Sequence, residues 1–63
     1  MYVVKVVNKQ NPREKRIYEN VMLIRDVYDS GKKYHELVMP DSTASFIANE
    51  WTFYTRDWVE LVL

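Results

Sequence analysis

Apolar side chains in this chain recur mainly at every second position, the period of a half-buried strand rather than of a helix. Tyr2-Val3-Val4-Lys5-Val6-Val7 is the first such run. It is β-branched and aromatic, too short for a helix, and apolar on both alternating faces, which predicts an interior strand or one covered by a partner. Asn8-Lys9-Gln10-Asn11-Pro12 then gathers turn formers and a proline and reads as a loop.

Residues 15–28 carry two patterns at once. Ile17, Val21, Ile24 and Tyr28 recur at helical spacing, yet the β-branched and aromatic content favours extended chain, with Asn20 as a break or bulge. A single strand here sets Val21, Leu23, Arg25 and Val27 on one face and Met22, Ile24, Asp26 and Tyr28 on the other. The next segment decides for strand, because residues 28–34 read as a hairpin loop. Asp29 and Ser30 suit a type I turn, and Gly31, the only glycine, takes a positive φ without steric cost. Whether 15–28 is one bent strand or two stays open at this point.

The return strand, Tyr34 to Met39, alternates Tyr34, Glu36 and Val38 with His35, Leu37 and Met39, and Pro40 ends it for want of an amide donor. Asp41-Ser42-Thr43 suits a turn or a helix N-cap, and residues 44–50 fit either a short helix or a short strand. Trp51-Thr52-Phe53-Tyr54-Thr55 is strand-like, with Trp51, Phe53 and Thr55 on one face. After a turn at Arg56-Asp57, Trp58 to Leu63 reads as a last strand pinned inside a sheet, with Val59, Leu61 and Leu63 together.

About five short strands joined by tight turns predict an all-β fold, a small antiparallel meander curled into a barrel or a strongly bent sheet, with one short helix near 42–50 as an option. In strand number and length this is similar to SH3-like barrels, and the likeness goes no further. Sixty-three residues make one domain, 1–63. The apolar area so small a chain can bury roughly balances its ordering entropy, so burial against a second copy or a partner would help it.

Composition changes the picture in three ways. Cysteine is absent, which excludes a disulfide framework and a cysteine zinc site and favours a cytoplasmic location. The longest strictly apolar run, Val21-Met22-Leu23-Ile24, is far below the roughly 18 residues needed to span a bilayer, and the start lacks the basic and apolar regions of a signal peptide. No membrane role is expected. Net charge is zero but unevenly spread: five basic residues stand against Glu14 in residues 1–16, while Arg56 stands against four acidic residues in 41–63.

Chemistry is hard to find. One histidine, His35, and no cysteine cannot supply a metal site by themselves, and one glycine cannot build a phosphate loop. Glu19, Glu36, Glu50 and Glu60 fall on four different elements, so paired acid–base carboxylates are not evident. A structural histidine, hydrogen-bonded to a neighbour, is the expected role of His35. No enzyme, cofactor or metal is expected.

Two binding roles remain. Nine aromatics exceed what one small core covers, so the primary expectation is a protein-interaction or regulatory accessory module that self-associates as a homodimer, docks a protein partner, or does both. Trp51, Phe53 and Trp58 are its candidate interface residues, with strand-edge pairing as another route to a dimer. The alternative is a barrel that binds single-stranded nucleic acid through Lys9, Arg13, Lys15, Arg16, Lys32, Lys33 and Tyr34, with Tyr18, Tyr28 and Tyr54 as further rings. That reading requires the loop at 8–16 and the hairpin tip at 29–33 to share one side. Zero net charge weighs against it.

Overall fold

Hydrogen-bond ladders divide the strands into two three-stranded antiparallel sheets. The computed structural model describes residues 1–63. Its strands are β1 (Tyr2–Asn8), β2 (Lys15–Val21), β3 (Leu23–Asp29), β4 (Lys32–Val38), β5 (Thr43–Ile47) and β6 (Trp51–Thr55), followed by a short 3-10 turn at Arg56–Trp58. The sheet orders are β2-β1-β6 and β3-β4-β5. Consecutive strands pair as a meander within each sheet, and β6 returns to pair with β1.

The strand apolar on both faces takes the central place in its sheet. Val4 and Val6 point inward and are fully buried, while Val3 and Val7 are half-buried on the outer face. Between them Lys5 extends over two rings, its Nζ 5.0 Å from the centre of Tyr54 and 4.3 Å from that of Trp58. The core is small: Val4, Val6, Val21, Leu37, Phe46 and Phe53. Its rings meet edge to face, Phe46 against Tyr18, Trp51 and Phe53.

Residues 15–28 are extended, and Met22 divides them into two strands that belong to different sheets. The N–H of Met22 donates to the Val38 carbonyl at 2.7 Å, so the backbone crosses to the second sheet there. Asn20 does supply a bulge. Its φ of 59° and the step from Tyr2↔Val21 to Val4↔Tyr18 insert one extra residue in β2. The crossing overturns the single alternation expected for this segment. Val21 and Ile24 both face the core, whereas Leu23 is exposed. A bend between sheets resets which parity points inward.

Two further expectations are corrected, at the hairpin loop and the last segment, and the open choice at residues 44–50 is decided for strand. The hairpin loop has only two residues, and positive φ at both Ser30 (51°) and Gly31 (77°) makes it type I′ rather than type I, the turn whose twist matches the strands it joins. Residues 43–47 form β5 and residues 48–50 a turn, so no helix lies near 42–50; pairing with β4 buries Phe46, which a lone helical turn would leave exposed. The last segment is not a strand inside a sheet. Asp57 (φ 68°) and Trp58 (φ 57°) turn the chain sharply, and only Val59 and Leu61 bond back to β6, through Thr55 N–H to Val59 O at 3.0 Å and Leu61 N–H to Phe53 O at 2.8 Å. Leu61 packs on the core, while Val62 is fully exposed. No helix is long and apolar enough to cross a membrane.

Candidate functional site

Three features gather on this frame: a basic end, an apolar end and a groove floored by His35. The basic end lies where β1 stops and β2 and β6 begin. The Asn8 side chain accepts from the N–H groups of Gln10 and Asn11, at 2.9 and 3.2 Å, and shapes the loop that follows. Lys9 N–H donates to the Glu50 carbonyl at 2.9 Å, and Ala48 N–H donates to that of Lys33 at 2.9 Å. The turn at 48–50 thus ties the 8–16 loop to the base of the 29–33 hairpin, and both basic segments share one end. Lys9, Arg13, Lys15 and Lys32 have no ion-pair partner there. Arg16 is engaged, its guanidinium 5.8 Å from the Trp51 ring centre and 3.9 Å from Glu14 Oε1. Lys33 Nζ lies 3.5 Å from Asp26 Oδ2. Tyr34 is half-buried opposite Ile47, and Tyr28 is exposed.

At the far end of β1 the surface is apolar. Tyr2, Leu23, Ile24, Thr55, Leu61 and Leu63 line a cavity of about 340 Å³. Met1, Met22 and Val62 are exposed neighbours of these in sequence, and Trp58 and Val59 are exposed in the segment between Thr55 and Leu61. Of the interface residues read from the sequence, Trp58 stays 45 % exposed and Trp51 is half-buried under Arg16. Phe53 is 3 % exposed and belongs to the core, so it presents no ring surface to a partner. An inward position on β6 looks the same in sequence whether it faces solvent or a second sheet.

His35 is the only buried polar side chain, 5 % exposed. Its cross-strand partner is Asp26, with Nδ1 and Oδ1 2.8 Å apart, and its ring stands edge-on to Phe53, centres 5.0 Å apart. The hydrogen bond from His35, with the positive charge of Lys33 adding to it, holds the Asp26 carboxyl below the ordinary carboxylate range, against the opposing effect of desolvation. The pair was legible in principle. A two-residue loop at 30–31 fixes every rung of the hairpin and sets residue 26 opposite 35, whereas the type I reading leaves that register undefined. No group of three His, Cys or carboxylate side chains converges anywhere.

Fold and surface define a small all-β domain of six strands in two antiparallel sheets, basic at one end and apolar at the other. No protein-family model, curated protein or solved structure matches the chain.

Proposed function

We propose that this chain is a non-enzymatic protein-interaction module that acts as a homodimer, joined through its apolar end. The exposed apolar surface there carries the reading. Met1, Tyr2, Met22, Leu23, Trp58, Val59, Val62 and Leu63 are all exposed, and Tyr2, Leu23 and Leu63 line one apolar cavity, the kind of surface that marks an interaction site. A second copy suits the rim as well. Arg56, Asp57 and Glu60 flank Trp58 and Val59 with both signs of charge, so two-fold pairing can set cation against anion twice. Trp58 holds a left-handed backbone that costs a bulky residue roughly 1 kcal/mol, strain of the kind that collects at functional positions. The absence of cysteine supports placing the module in the cytoplasm.

Sedimentation velocity at tens of micromolar tests this directly. A dimer is expected for the native sequence, and a monomer of 7.6 kDa for Leu23→Glu. A native chain that sediments as a clean monomer refutes the homodimer.

One observation favours a second reading, single-stranded nucleic acid held at the basic end: the 48–50 turn joins both basic segments there. A gel shift that weakens steeply with salt and is lost in Lys15→Glu with Lys32→Glu would establish it, since phosphate neutralisation dominates such binding.

A further inference from the structure

The outer strands of the two sheets are β2, β6, β3 and β5, and all but one carry a device that keeps a further strand away. β2 presents Lys15, Arg16 and Glu19 and is bulged at Asn20. β3 presents Arg25, Asp26 and Asp29. β6 is covered in part by Val59 and Leu61, which bond back to it. β5, Thr43-Ala44-Ser45-Phe46-Ile47, has no charge, proline or bulge, and no strand pairs with its outer side.

The ladder fixes which backbone groups of β5 are free. Met39 N–H donates to Ser42 O and Ala48 N–H to Lys33 O, both at 2.9 Å, so Ala44 and Phe46 bond to β4 while the odd-numbered residues point away. The N–H and C=O groups of Thr43 and Ser45, and the N–H of Ile47, therefore have no partner in the chain. Thr43 and Ser45 are exposed, so the row is open. Donors and acceptors alternating at the spacing of a strand are matched by another extended backbone, not by a compact ligand.

The surroundings narrow the occupant. Asp41, exposed and without an ion-pair partner, precedes Thr43. Beside Ile47 a recess of about 300 Å³ sets Lys32 and Lys33 against Glu50. An antiparallel segment thus meets positive charge at its N-terminal end and negative charge at its C-terminal end. On the outer face a second recess, of about 190 Å³ and lined by Val27, Asp29, Tyr34 and Ser45, has room for one side chain of an arriving strand. A second β5 paired about Ser45 would bring only a serine to it, so a different chain fits better.

We propose that β5 receives an extended peptide segment of a partner protein, added antiparallel to the β3-β4-β5 sheet. An apolar side chain of that segment lies opposite Ser45, an acidic one toward Lys32 and a basic one toward Asp41. This partner site rests on the reading as an interaction module and is independent of the homodimer.

The test is an NMR titration of the full chain with the capped peptide Glu-Val-Thr-Val-Thr-Val-Lys, whose valines would face Ile47, Ser45 and Thr43. Binding should give saturable shifts and slowed hydrogen exchange at the amides of those residues. The same peptide N-methylated at its valines keeps its side chains and charges but loses the donors that face β5. It should bind about tenfold or more weakly. Ser45→Pro removes a donor that β4 does not use, and should abolish binding while the Phe46 and His35 resonances stay in place. Leu23→Glu should bind the peptide as the native chain does, so failure of the homodimer leaves this result standing. Shifts confined to other strands, or equal affinity for the N-methylated peptide, would overturn the proposal. Protection of the Ser45 amide that grows with protein concentration alone would assign the edge to a second copy, and would overturn it too. The comparison of the two peptides needs no variant to fold.

Discussion

Asp26 and His35 illustrate how one pair of side chains ties stability to pH. Asp26 titrates below its ordinary value in the folded chain, so it binds protons less readily there than when unfolded. Its contribution to stability is therefore present above the ordinary carboxylate range and is lost as pH falls through the lowered value. Asp26→Asn should flatten the acid limb of the stability curve below about pH 4; urea melts at neutral and acid pH compare the slopes. Leu37 sits at the other extreme, an apolar side chain with no exposure. Leu37→Ala should cost about 2–5 kcal/mol, a large share of what so small a domain has, and thermal melts would show it as loss of the cooperative transition.

The elements owe their ends to a few residues with left-handed backbone. Gly31 takes φ 77° with open space where a Cβ would stand, so Gly31→Ala should lower stability by about 1 kcal/mol through backbone strain alone. Ser30, at φ 51°, occupies the other central position of the type I′ turn, where Asn is preferred. Ser30→Asn should therefore raise stability by roughly 0.5 kcal/mol. Asn20 serves β2 in the same way. A β-branched residue there meets the left-handed penalty directly, and Asn20→Val should cost about 1–2 kcal/mol by chemical denaturation.

For the whole molecule, the proposed pairing through the apolar end would tie association to folding. Burial between two copies stabilises only the folded state, so the melting temperature should climb with protein concentration, and should cease to do so in Leu23→Glu. Calorimetry across a tenfold or larger concentration range checks this. The ammonium of Lys5, 4.3 Å from the Trp58 ring centre, holds that half-exposed ring against β1.

Local chemistry determined much of this protein by itself. Period-two patterning marked β1, β4 and β6, the β-branched content of 15–28 marked extended chain, and Gly31 placed the hairpin, because each signal acts over a few neighbouring residues. Asn20 as a bulge was legible for the same reason. Tertiary structure alone decided the rest. Residues 43–47 became strand because β4 offered an unpaired edge, and the inward parity changed at Met22 because the chain there leaves one sheet for the other. Phe53 went into the core, the two basic segments met across the 48–50 turn, and His35 came to face both Asp26 and an open groove. Those outcomes depend on which backbones lie beside one another across long stretches of sequence, and side-chain pattern does not encode that neighbourhood until the sheets have formed.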